Sequence, residues 1–150
     1  MKVIVDANIV FSGILNTKGK IGDLLINSSG LIQFIAPDFL RIEIRKHYNR
    51  LIKISKLSHD QIVDSEFQIC RDILFISEEQ IFSKNWLLAF DLVKDVDEKD
   101  VHYIAFSRQF GHKIWSGDKQ LIRGLNKKGF TKFIGTKELY RLRQKKIEKG

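Results

Sequence analysis

The chain is expected to fold as one three-layer α/β/α domain around a central parallel sheet of about five strands. Three observations lead there. Its 150 residues are 43% hydrophobic, enough to bury a core within a single domain. Short runs such as Val3-Ile4-Val5 are apolar throughout, as strands covered on both faces are. These runs alternate with longer stretches of helical periodicity, the order that builds a parallel sheet through crossover helices.

Val3-Ile4-Val5, closed by Asp6, is the first strand. Leu31 to Ala36, Ile73 to Ser77, Lys113 to Ser116 and Lys132 to Gly135 follow as strands, each edged by Pro, Gly, Ser or charge. Helices are expected over Ala7 to Leu15, Gly22 to Asn27, Pro37 to Ile54, from Ser58, over Glu78 to Val93 and over Lys99 to Phe110. Pro37, the only proline, suits a first helical turn because its missing N–H costs nothing there. Ser58-His59-Asp60-Gln61 reads as a capping box, and Thr136-Lys137-Glu138 opens the last helix. No repeat or linker interrupts residues 1–150, so one domain is expected, with a basic C-terminal helix or fraying tail from about 136.

Composition narrows the function. The single cysteine, Cys70, excludes an internal disulfide, and no apolar stretch is long enough for a signal peptide or a membrane span. A cytoplasmic protein with no membrane partner is expected. The net charge is +8 and the isoelectric point about 9.6, a balance that favours a polyanionic partner.

Against that basic background a few acids stand at particular places. In a parallel sheet, ligands collect beyond the carboxyl ends of the strands where the strand order reverses. Asp6 ends the first strand, and Asp118 follows the fourth in Trp115-Ser116-Gly117-Asp118. Asp100 opens the helix containing Ala105, and Asp97 lies three residues before it. Glu43 sits between Ile42 and Ile44 in the helix after the second strand. Each acid alone has a local reading as a helix cap, a first-turn acid, a turn residue or a solvated surface group. Taken together they imply a cation, since two carboxylates ~4 Å apart repel by about 4 kcal/mol at an effective dielectric of 20. All-oxygen ligands select Mg²⁺ or Mn²⁺ over zinc, and His47, His59, His102 and His112 show no zinc-like spacing with one another or with Cys70.

Val-Ile-Val-Asp6-Ala-Asn8, Glu43, Asp100 before Ala105, and Ser116-Gly-Asp118 together resemble the PIN-domain nucleases in order and spacing, from residue 3 to about 135. The resemblance implies that Asp6, Glu43, Asp100 and Asp118 form an acidic quartet that binds one or two Mg²⁺ or Mn²⁺ ions. It implies supporting roles for Asn8 and Ser116, with Asp97 as the additional acid found in some members. Whether Asp97 or Asp100 contacts metal directly stays open. The activity implied is phosphodiester hydrolysis in single-stranded RNA. Many small members are toxins of toxin–antitoxin pairs, so an antitoxin partner and a homodimer are further expectations of the resemblance.

The chemistry also follows from the ligands. Divalent cations ease deprotonation of water and neutralise charge on the scissile phosphate, so hydrolysis is expected to leave a 5′-phosphate and a 3′-hydroxyl. Lys46, His47 and Arg50 share a helix face with Glu43 and could hold RNA, as could Lys119 and Arg123 after Asp118. Phe11 and Trp115 are candidates for stacking on a base, though an aromatic beside an apolar strand is usually core. Two rivals remain. One is a non-catalytic RNA-binding or protein-interaction module on the same fold. The other is a phosphoacceptor domain, which the Ser77-Glu78 ending of the third strand disfavours because it lacks the required aspartate.

Overall fold

The computed structural model describes residues 1–150. Five strands form one all-parallel sheet: β1 (Lys2–Val5), β2 (Gln33–Pro37), β3 (Ile73–Ile76), β4 (Lys113–Trp115) and β5 (Phe133–Ile134). The spatial order is β3-β2-β1-β4-β5, so the winding reverses between β1 and β4. Their register sets Val5 opposite Trp115, and the Asp6 amide donates to the Trp115 carbonyl at 3.4 Å. The next residues of both strands therefore emerge side by side at the switch point.

Nine α-helices cover the sheet: α1 (Ala7–Leu15), α2 (Lys20–Ile26), α3 (Phe39–Lys46), α4 (Tyr48–Ser55), α5 (His59–Cys70), α6 (Ser83–Val93), α7 (Val101–Phe110), α8 (Lys119–Asn126) and α9 (Thr136–Lys149). Alternation along β1 divides the core. Val3 and Val5 pack with Phe34, Trp115 and the helices α1 to α5 and α9, whereas Ile4 packs with Ile35, Ile114 and α6 to α8. Both faces are thus covered, which is why the strands read as unbroken apolar runs.

The expected five-stranded α/β/α architecture is what the chain adopts, with four local corrections. Pro37 does not open a helix. It ends β2 opposite Ile76. The Phe39 amide is capped instead by the Glu78 carboxylate of a distant segment, at 2.8 Å. The single helix expected over Pro37 to Ile54 is two, because the chain bends at His47 (φ −104°, ψ 11°) so that Ile44 and Leu51 can both reach the core. The helix expected from Glu78 begins only at Ser83, after a 3-10 turn over Glu78–Gln80.

The fourth correction is α8, which was not expected at all. Asp118 caps it by accepting from the Leu121 amide at 3.1 Å, and Leu121 and Leu125 bury one face. Gly124 masked the pattern. Its missing side chain gives Val96 close approach, since a Cβ there would stand 3.1 Å from Val96 Cγ2. The Ser58–Gln61 capping box is formed as expected. The basic C-terminus stays helical to Lys149, and buried Arg143 pairs with Asp23 on α2. No helix is long and apolar enough to cross a membrane.

Candidate active site

Asp6 leaves the end of β1 and is 4% exposed. Its Oδ1 accepts from the Ile9 amide at 3.0 Å and caps α1. Asp118 does the same for α8 one strand away, and the Ser116 hydroxyl accepts from the Asp118 amide at 3.1 Å. The capping and ligand readings of these aspartates are therefore compatible, because a cap takes one of the two carboxylate oxygens. Asp97 caps the 3-10 turn over Glu98–Asp100 by accepting from the Lys99 amide, and it is exposed. Asp100, at the join to α7, is half-buried.

A cleft of about 500 Å³ opens at this edge of the sheet. Asp6 and Asn8 line it from α1, Glu43, His47 and Arg50 from α3 and α4, and Asp97, Lys99, Asp100 and Tyr103 from the α7 side. Asp118 lies outside the lining, yet its charge is felt by both Asp6 and Asp100. Burial raises the Asp6 carboxyl above its ordinary value and Asp118 adds to the rise, against the Ser116 hydroxyl and the amides of Ile9 and Asn8. Burial, followed by the charges of Asp97, Asp6 and Asp118, pushes Asp100 up to about 7. Glu43 stands across the cleft, with Oε2 3.5 Å from His47 Nε2.

The donors are all carboxylate oxygens, the set that suits a hard divalent cation. As the side chains lie, no three of the His, Cys, Asp or Glu groups are close enough together to hold one. Uncompensated acids repel, and a cation is the charge that would let Asp6, Asp100 and Asp118 close in. The donor chemistry and the mutual destabilisation of the ionised forms fit a metal.

The remaining sequence candidates divide. Arg50 lines the cleft, but Lys46 does not, because the bend at His47 turns the two apart. Lys119 and Arg123 sit exposed along α8 over a separate surface trough that Lys127 extends. Phe11 faces the cleft, while Trp115 is fully buried in the core with its indole N–H donating to Thr136 Oγ1 at 3.0 Å, so base stacking by Trp115 is excluded. Lys99, Phe39 and Tyr103 were missed by the sequence reading. Tyr103 had a legible signal, being three residues beyond Asp100 on one helix face. Phe39 reaches the cleft only because of the bend after β2.

A family model described as "PIN domain" matches residues 4–145. Comparison with curated proteins finds no match.

Proposed function

Since the chain belongs to the PIN-domain family, whose members are generally nucleases, we propose that it is a metal-dependent endoribonuclease acting on single-stranded RNA. The observation that carries this reading is Asp100 in the cleft, pushed up to about 7 first by burial and then by the charges of Asp97, Asp6 and Asp118. In a protein of net charge +8, such a concentration of acids serves a cation better than it serves stability. Asp6, Asp100, Asp118 and Glu43 are the residues that would hold Mg²⁺ or Mn²⁺. Such an ion, when bound, would ease deprotonation of water and offset charge on the phosphate. Arg50 and Lys99 line the same cleft and attract the phosphodiester, and Phe11 and Phe39 give it apolar walls. Asn8 and Ser116 hold Asp6 and Asp118 in place through the amide and hydroxyl contacts described above. The proposal extends to the setting: a cytoplasmic toxin, dimeric and restrained by an antitoxin, for which a short adjacent reading frame encoding a DNA-binding partner is the test.

Matched single-stranded RNA and DNA oligonucleotides, incubated with Mg²⁺, with Mn²⁺ or with chelator, test the activity. RNA should be cut to 5′-phosphate and 3′-hydroxyl ends, and only with metal. Binding of RNA without cleavage under every metal condition would make the chain a binding module instead.

Within the acidic set, Asp100→Asn should lower the cleavage rate at least about tenfold more than Asp97→Asn, because Asp97 is exposed and can relax into solvent whereas Asp100 is half-buried at the head of α7. The double variant should be no slower than Asp100→Asn alone if the two act as one unit. Rate measurements on the three variants check this, and an equal loss in the two single variants would reverse the assignment.

A further inference from the structure

Charge along the chain turns one-sided after Asp118. The nineteen residues from Lys119 to Lys137 hold six cations and no acid. Lys119, Arg123 and Lys127 fall four residues apart, so α8 and its C-terminal cap present them on one face, opposite the buried Leu121 and Leu125. All three are exposed, and with Ile122 and Asn126 they line a surface trough of about 520 Å³. No carboxylate pairs with any of them, whereas the neighbouring Lys128 is bound by Asp95. The row costs α8 stability, because like charges four residues apart repel and because Lys119 stands in the first turn, where the helix dipole disfavours a cation. Charges kept at that cost and left unpaired fit an anion that carries several charges along a line of ~12 Å, the length of eight residues at the helical rise. A membrane or a protein groove would draw on apolar contacts, and half-buried Ile122 is the only apolar side chain in the trough.

We propose that the α8 trough is a second phosphate track, which holds the backbone of the RNA strand as it leaves the cleft. This rests on the nuclease reading for the identity of the polyanion. The row starts one residue after Asp118, whose charge reaches both Asp6 and Asp100 in the cleft. A strand with its scissile phosphate at these acids and its continuation over α8 meets Lys119 first, then Arg123 and Lys127. Placing the cations there separates two tasks. The acids of the cleft repel a phosphate until a cation offsets them, whereas the trough attracts the strand from a surface that holds no acid. Contacts of this kind fix position along the strand without reading its bases.

The test compares the full chain with a triple variant, Lys119→Gln, Arg123→Gln and Lys127→Gln, and with a control that loses the same charge from the far end of α9, Lys145→Gln, Lys146→Gln and Lys149→Gln. Binding of a single-stranded RNA oligonucleotide of about 15 nucleotides is titrated in chelator across salt concentrations. Each phosphate contact to a single strand contributes about 0.7 to the slope of log Kd against log salt, so the trough variant should lose about 2 from that slope. Its Kd should be about 10- to 100-fold weaker at 0.1 M salt and approach the native value near 1 M, with the control close to native throughout. In Mn²⁺ its KM for the same oligonucleotide should rise with kcat unchanged, because a track away from the reacting atoms binds substrate and transition state alike. The charge-keeping set Lys119→Arg, Arg123→Lys and Lys127→Arg should bind as the native chain does. Equal slopes for the trough variant and the control would overturn the proposal, as would a lost slope with KM unchanged, which would separate the trough from the cleft. Polyglutamate bound more tightly than RNA, and lost in the same variant, would overturn it in favour of an acidic protein segment. If the native chain cuts no RNA and the trough variant still loses its slope, the nuclease reading fails and the track stands.

Discussion

Asp6→Asn and Asp118→Asn are each expected to slow RNA cleavage by more than about 100-fold while leaving RNA affinity within a few-fold of the native protein. The substitutions are unusually clean because of the caps. Asparagine is as good an N-cap as aspartate, and its side-chain oxygen can still accept from the Ile9 amide in one case and the Leu121 amide in the other. Volume and hydrogen bonding survive, and only the negative charge is lost. If the aspartates were caps and nothing more, both variants would cut at the native rate. On the proposed reading the phosphate contacts would come from cations lining the cleft, Arg50 and Lys99, so removing an acid should not weaken binding. Cleavage rates beside a binding titration decide it, and activity within a few-fold of native in either variant removes that acid from the site.

The second large effect is on stability without metal. Asp100 has a carboxyl near 7 in the fold against an ordinary 3.8, so the folded state prefers it protonated. Its contribution to stability is fully present below pH 3.8 and is lost as pH rises through about 7. The loss is on the order of 2–4 kcal/mol by the usual conversion, which for a chain of this length corresponds to roughly 4 °C or more in melting temperature. In chelator, Asp100→Asn should therefore melt above the native protein at pH 8, with the gap shrinking towards zero near pH 4. Mn²⁺ should reverse the order, because a ligand that binds only the folded state stabilises it by about 2.7 kcal/mol at one hundred times its dissociation constant. Asp6→Asn should likewise melt at or above native in chelator and respond less to Mn²⁺. Melts of the three proteins across this pH range, with chelator and with Mn²⁺, provide the check. A native protein indifferent to metal, with no pH-dependent gap to Asp100→Asn, would remove the carboxylate cluster from the functional argument.

Much of the architecture was legible because it is written in local chemistry. The Val3-Ile4-Val5 run, the Ser58–Gln61 box and the helical run after Asp100 each state their structure within a few residues. The elements that escaped depend on distant partners. Pro37 belongs to β2 because β3 pairs with it, and α3 starts where it does because Glu78 caps it from 39 residues away. Gly124 looks like a helix breaker until Val96 is seen against it.

The candidate site divides along the same line. By itself the sequence determined the strand ends at Asp6 and Asp118, the acid at the head of α7, and a basic surplus suited to a polyanion, since each follows from residue type and position within one element. Only the tertiary structure decided which groups share the cleft. The reversal of strand order between β1 and β4 sets Asp6 beside Ser116 and brings the Asp118 charge to it. The bend at His47 admits Arg50 and turns Lys46 away. The packing of α7 carries Tyr103 to the cleft floor and Trp115 stays sealed in the core of the opposite layer. Position along the chain fixes what a side chain can do, but the field and the partners that give it a task come from residues far away in sequence, and those meet only when the sheet is covered on both faces.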